Sequence, residues 1–302
     1  MNQKLWIIGV IVASGIIAFS ALYLIEDDKK ITHNSDTPKL LENITPINIS
    51  QQGTGEILLT SGNSIFETFV FSGDAQNVNE DGTINYKHGH FLLKPENEKL
   101  YKDIGIAHER HNSVIVAPIF TITAYDESGF YNYYRGECDI SCINEVRLKY
   151  ETMPAFQSSG NAFKVLRLLG YPYITDIEID KNPEILDLFD KVILLHNEYV
   201  TKKEFDAITN HPKVMYLYPN ALYAEIDVNY EKDTISLIRG HEYPSPEIKN
   251  GFGWEFDNTK HEYDIDCDNW KFSEIKNGVM LNCYPENIIF QDKELLKRIK
   301  EY

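Results

Sequence analysis

The sequence predicts an α/β fold, a parallel sheet flanked by helices, with added β-rich segments and one N-terminal transmembrane helix. Three observations predict it. Residues 113–120, 191–195 and 213–218 are nearly continuous apolar runs, as strands buried on both faces require. Helical signals lie between the runs, which is the pattern of a parallel sheet covered by helices. Residues 5–25 carry no charge, and a stretch of that length crosses the roughly 30 Å hydrocarbon core as a helix.

Residues 1–25 are read as an anchor. Lys4 precedes the apolar stretch, and Glu26, Asp27, Asp28, Lys29 and Lys30 follow it. A cleaved signal peptide, cut after Ser20, is the alternative. The apolar run continues through Ile25, longer than an ordinary signal-peptide core, and that favours an uncleaved anchor. Lys4 competes with Lys29 and Lys30, so the positive-inside rule gives a weak orientation. Three other features place the body outside the cytoplasm. The tail before the anchor is short. Asn43-Ile-Thr and Asn48-Ile-Ser are glycan-acceptor sequons. Four cysteines suffice for two bridges. The expectation is a single-pass cell-membrane protein with an extracytoplasmic, glycosylated body.

Residues 26–53, polar and holding Pro38 and Pro46, read as a flexible stalk. Residues 54–107 read as a β-rich segment, with runs at 56–60 and 65–71 and no helical period. Residues 108–225 read as the α/β core. Its strands are the three apolar runs and residues 173–179. One helix is expected over 162–169, stopped by Gly170. Pro183 opens a short helical turn. Thr201 and Glu204 form a capping box that starts another helix. Residues 226–302 read as a β-hairpin extension and a C-terminal helix. One hairpin turns at 231–233, and another turns at Lys276-Asn277-Gly278 between Cys267 and Cys283. Leu295, Leu296 and Ile299 have helical spacing. The preferred pairing is Cys138 with Cys142 and Cys267 with Cys283, out of three connectivities. A zinc site on these cysteines is the alternative.

Composition bounds the function. The chain has 302 residues, 29 Lys plus Arg and 46 Asp plus Glu, a formal charge of −17. Lys4 is the one charge among the first 25 residues, so the acidity belongs to the body. Such a surface repels phosphate backbones and anionic lipid, which excludes nucleic-acid partners and surface docking on membranes. The membrane is met through the N-terminal helix alone. At 43% hydrophobic and 12% aromatic, the body has enough apolar residues for a sizeable core.

Ligands of open α/β sheets bind beyond the carboxyl ends of the strands. Three such ends are polar here: 121–126, 196–199 and 219–223. His196 and Glu198 are two apart, so a continued strand points both to one face, where they can share a metal or proton transfer. The plain alternative is a strand-end loop with a helix-capping Glu198. Tyr125 is one of 19 tyrosines, and packing explains most tyrosines. No Ser or Cys sits where a nucleophile elbow would need it. The histidines at 33, 88, 90, 108, 111, 211, 241 and 261 form no ligand pattern.

Four segments in order resemble the C-terminal, glutaminase-like region of N,N-dimethylformamidase large subunits and their relatives. They are Thr123-Ala-Tyr-Asp126 with Gly129, Leu166-Arg-Leu-Leu-Gly-Tyr171 through Pro183, His196-Asn-Glu-Tyr199, and Asn220-Ala-Leu-Tyr223. The resemblance covers about residues 113–223. It implies a class I GATase-like or flavodoxin-like layer and a mononuclear iron amidohydrolase site held by two tyrosines and a glutamate. Carried over by motif, Glu198 and Tyr125 are ligands, the second tyrosine is Tyr133 or Tyr134, and His196 is the acid/base group. Asn197, Asn220 and Tyr223 are the implied substrate contacts, and a small amide is the implied substrate. Hard oxygen ligands suit a hard, highly charged iron. The chain departs from the pattern at Asn197, Val200 and Ala224. The alternative is therefore a non-catalytic surface module that keeps the fold and binds a partner.

Overall fold

A computed structural model describes residues 56–58, 64–78, 84–107, 112–150, 152–256, 258–261 and 267–302. The anchor over 1–25, the stalk over 26–53, the sequons at Asn43 and Asn48 and the histidines at 33, 108 and 111 lie outside the described residues. Among the described residues, no helix is long and apolar enough to cross a membrane.

The first described strands are β1 (Glu56–Leu58), β2 (Glu67–Phe71), β3 (Ala75–Val78), β4 (Ile84–Tyr86) and β5 (His90–Leu92). β1, β2 and β5 form a small antiparallel sheet, and β3 pairs with β4. The segment also holds α1 (Glu98–Ile104), where the sequence showed no helical period. About two turns are too short for the period to register, and a single residue of α1, Ile104, is buried.

The chain then enters the main layer with β6 (Ser113–Ala117), buried at every position. Pro118 stops it, and α2 (Ile119–Tyr125) begins at once. The apolar run expected as one strand to residue 120 is therefore a strand and the start of a helix, because proline cannot donate to a sheet ladder. Four-residue α3 (Tyr131–Tyr134) and β7 (Val146–Arg147) follow, then α4 (Gly160–Leu168) and β8 (Tyr173–Thr175). The strand expected over 173–179 ends at Thr175. The Thr175 hydroxyl accepts the Glu178 N–H, and the Glu178 carboxylate accepts the Thr175 N–H. This capping box starts α5 (Asp176–Lys181) and overrides the β-branched residues that suggested a longer strand.

The remaining elements are β9 (Lys191–Leu194), β10 (Tyr199–Thr201), α6 (Lys202–Asn210), β11 (Val214–Tyr216), β12 (Ala224–Asn229), β13 (Thr234–Arg239), β14 (Phe272–Ile275), β15 (Gly278–Leu281) and α7 (Lys293–Glu301). The Thr201 hydroxyl caps α6 by accepting the Glu204 N–H at 3.1 Å, but the expected capping box is half made, because the Glu204 carboxyl does not return to the Thr201 N–H.

The six-stranded sheet runs β14-β15-β11-β9-β6-β8. Its last five strands are mutually parallel, and β14 is antiparallel to β15. Helices cover both faces, and period-two alternation assigns each strand residue to a side. Ile115, Ala117, Ile193 and Leu195 meet α4 and α7, through Val165, Leu166, Leu295, Leu296 and Ile299. Val114, Val116, Val192 and Leu194 meet α5 and α6, through Ile179, Phe205 and Ile208. Each such side chain stabilises the fold by roughly 1.5–3 kcal/mol when fully buried. A second sheet, β10-β12-β13-β7, packs on α2 over a third core that includes Phe120, Phe130, Tyr199 and Ile235.

Both cysteine pairs are disulfides in the preferred connectivity, Cys138–Cys142 and Cys267–Cys283. That removes the zinc alternative for these four residues.

Candidate functional site

β6, the first parallel strand, sits between β8 and β9, so the strand order reverses between β6 and β9. A crevice opens at the carboxyl ends of strands at such a reversal. Tyr125 comes from the end of α2, just after β6. His196 and Glu198 come from the end of β9. A cavity of about 750 Å³ lies here, and Tyr125, His196 and Glu198 line it together with Tyr131, His241 and Glu286.

Glu198 is fully buried. Its backbone is pinned on both sides. Its N–H donates to the Thr121 hydroxyl at 3.0 Å, and its carbonyl accepts from the Tyr223 and Ala224 N–H groups at 2.9 Å. Its carboxylate accepts the Tyr125 hydroxyl on Oε2 and the His241 Nε2–H on Oε1. His196 Nε2 lies 3.1 Å from Oε2, misaligned for a hydrogen bond. Burial alone would raise the Glu198 carboxyl. The His241 and His196 imidazoles outweigh it and hold the group well below the usual carboxylate range.

His196 and Glu198 do meet, through a bend and not a continued strand. The Asn197 N–H turns back to the Leu195 carbonyl at 2.8 Å. His196 Nδ1 lies 2.7 Å from the Gln157 carbonyl. A carbonyl can only accept, so Nδ1 carries the proton and Nε2 faces Glu198. The ring stacks on Tyr218 at 5.3 Å.

The sequence reading missed His241, which stands 43 residues beyond Glu198. It follows β13 with Gly240 at φ 120° and is itself left-handed at φ 50°. Left-handed non-glycine residues gather at functional sites. The signal in the sequence was thin: one glycine at the end of a predicted strand. Three tyrosines fix the imidazole: Tyr199 stacks on it at 5.4 Å, Tyr223 meets it edge-on at 4.6 Å, and Tyr134 at 5.9 Å.

The tyrosine beside Tyr125 is Tyr131, with ring centroids 4.7 Å apart. Gly129 permits this approach. A Cβ there would lie 2.2 Å from the Ala124 carbonyl oxygen, so no larger residue fits the turn that returns Tyr131 to Tyr125. Of the two tyrosines implied as second ligand, Tyr134 lines the cavity and Tyr133 does not. Asn220 lines the cavity with its Oδ1 unpartnered. Asn197 is fully buried, neither side-chain polar atom has a hydrogen-bond partner, and its carbonyl accepts the Leu222 N–H. Tyr223 acts on the site by holding the Glu198 carbonyl and the His241 ring.

A second buried carboxylate, Glu286, faces the same cavity. It accepts the Tyr218 hydroxyl, the Asn161 N–H at 2.8 Å and the Ala162 N–H at 3.1 Å. Burial pushes its pKa up to about 7, although these donors pull it back. Two carboxyls of one cavity are thus driven apart, one well below the usual carboxylate range and one up to about 7, an arrangement that separates acid from base.

Among the described residues, no three His, Cys, Asp or Glu side chains are placed to hold one metal ion. A cation here therefore needs phenol donors. Burial and the Glu198 charge keep the Tyr125 phenol protonated, and it donates to the carboxylate. A cation held by these residues would reverse that balance, because a bound cation lowers a phenol's pKa. With the Glu198 carboxylate, the Tyr125 and Tyr131 phenols and the His241 imidazole, the donor set fits a hard transition metal such as iron.

No protein-family model matches the chain, and no curated protein matches it.

Proposed function

We propose that this cavity belongs to an amide hydrolase, a carbon–nitrogen hydrolase of the dimethylformamidase-like, GATase-like kind. The observation that carries the reading is the convergence of Tyr125, His196 and His241 on buried Glu198, where the strand order reverses. Glu198, Tyr125, His241 and Tyr131 are the residues that would hold a metal ion. Iron, when bound, supplies Lewis-acid polarisation of the amide carbonyl.

The remaining work falls to side chains. The Gln157 carbonyl fixes the His196 tautomer and leaves Nε2 facing the cavity. His196 takes a proton from the attacking water on Nε2 as the carbon–oxygen bond forms. It returns that proton to the departing nitrogen as the carbon–nitrogen bond breaks. Glu198 steadies the imidazolium in between. Tyr218, stacked on the ring, holds its plane. The two disulfides support placing the body in an oxidising, extracytoplasmic compartment, tethered through residues 1–25.

Elemental analysis of the purified protein tests the reading. One iron per chain is expected, absent from Glu198→Ala, with amide hydrolysis lost in His196→Ala. A metal-free wild-type protein with no such hydrolysis overturns it.

A further inference from the structure

The cavity has a second wall that proton transfer at His196 does not use. Glu286 is 3% exposed and still lines the cavity. Its three hydrogen bonds all come from neutral donors: two backbone N–H groups and the Tyr218 hydroxyl. A buried carboxylate is ordinarily paired with a cation. Among the described residues, none of the ion pairs involves Glu286. Lys164 is near enough to feel its charge, but its Nζ donates to the Gly89 carbonyl at 2.7 Å.

The same cavity offers an acceptor without a donor. Asn220 is 2% exposed, and its Oδ1 has no hydrogen-bond partner. Five lining side chains are aromatic: Tyr125, Tyr131, Tyr134, Phe156 and Tyr284. Aromatic faces attract cations. The two cationic side chains of the lining are already neutralised. Arg135 grips Glu137 with two bonds of 2.7 and 2.9 Å, and Lys249 pairs with Glu242. A cavity with an unpaired carboxylate, an unpartnered acceptor and aromatic walls lacks one thing, a donor-rich cation.

We propose that the Glu286 wall is a subsite for a primary ammonium group, so that the substrate is a small cationic amide. The inference rests on the hydrolase reading for the word substrate, but the subsite itself is independent of metal and turnover. An ammonium has three N–H donors and a full charge. It bonds the Glu286 carboxylate and Asn220 Oδ1 while its alkyl chain lies against the tyrosines. The body's net negative charge draws such a ligand in.

Proton linkage gives the binding a signature. The titratable and charged groups facing Glu286 are Tyr218, His196, Lys164 and Tyr86. Burial holds the free Glu286 carboxyl at about 7. A bound cation favours the ionised form, so binding releases a proton near neutrality and tightens as pH rises.

The test is calorimetric titration of the purified protein with propylammonium chloride, with 1-propanol as the neutral probe. Saturable propylammonium binding is expected, about tenfold tighter at pH 8 than at pH 6. Proton release should appear when two buffers of different ionisation heat are compared. Glu286→Gln should weaken binding at least tenfold and erase the pH dependence, and Asn220→Ala should weaken it less. Far-UV and near-UV circular dichroism check that both variants are folded. Equal binding of 1-propanol overturns the proposal, as does wild-type binding that ignores pH or is absent. Failure here leaves the iron and hydrolysis results standing, and failure there leaves this binding standing.

Discussion

Two buried acidic regions of this protein differ in how their charge is met. Around Glu198, one carboxylate is surrounded by two imidazoles and a phenol, and it stays ionised. Around Glu204, three acids, Asp176, Asp180 and Glu204, are buried near one another, and their hydrogen bonds among the described residues come from neutral donors. Glu204 is fully buried, and neither carboxyl oxygen has a hydrogen-bond partner. Burial pushes Glu204 and Asp176 well above the usual carboxylate range, and the neighbouring acids push Glu204 further. Burial is equal in the two regions and the protonation state is opposite. Neighbours decide it, and a carboxylate held charged at a cavity wall is the one equipped for chemistry.

The largest effect should come from deleting the charged member. Glu198→Ala leaves the His241 Nε2–H and the Tyr125 hydroxyl buried without their acceptor. Removing one partner of a buried charged pair costs about 3–5 kcal/mol. Urea denaturation should show a loss of that size. A loss under about 1 kcal/mol would mean the two histidines never needed the carboxylate, and the contrast between the regions would dissolve.

Glu204→Met should act in the opposite direction. The unfolded chain ionises this carboxyl above about pH 4.3. The folded protein holds it protonated to a higher pH. Its contribution is therefore fully present below the unfolded pKa and is lost as pH rises towards the folded one. Methionine has no such slope and leaves no unsatisfied carboxyl. At pH 8 the variant should be more stable than wild type by about 1–3 kcal/mol, the penalty of an unsatisfied buried polar group. The advantage should shrink at pH 4, as denaturation midpoints at the two pH values would report. A destabilised variant at pH 8 would mean that Glu204 is ionised and paired.

The contrast also marks how far the sequence could be read. Strands β6, β9 and β11 were legible because burial on both faces makes their whole length apolar. The α6 start and the hairpin at Asn277-Gly278 were legible because a cap and a turn are local chemistry. Tyr125, His196 and Glu198 stood at strand ends, where the topology rule directs attention. His241 was not legible. It reaches Glu198 through the β12–β13 hairpin, and nothing within a few residues of it encodes that return. Tyr131 and Glu286 escaped for the same reason, since their partners are set by packing between distant elements. The acid cluster was invisible as well. Asp176 stood inside an expected strand and Glu204 in a capping box, and nothing local joins them to Asp180 until α5 and α6 are laid on the sheet.

The smallest effect separates the two regions by one matched change. Tyr125 and Tyr230 each donate a hydroxyl to a carboxylate, Tyr125 to Glu198 and Tyr230 to Asp180 at 2.7 Å. Tyr125→Phe removes a donor from a charged acceptor inside the cavity, and such bonds are worth about 1.5–3 kcal/mol. Tyr230 is half-exposed, and its ring also lies under the Lys181 ammonium at 4.4 Å. Tyr230→Phe keeps that cation–ring contact and deletes the hydroxyl alone. Water can replace part of the lost bond at an open site. Its cost should be about 0.5–1 kcal/mol, within the range of an ordinary hydrogen bond. Chemical denaturation of both variants at pH 7 gives the difference directly. If Tyr230→Phe costs as much as Tyr125→Phe, the Asp180 carboxylate depends on its phenol as strongly as Glu198 does. Fixed donors would then matter to both regions alike, and the imidazoles alone would distinguish the cavity site.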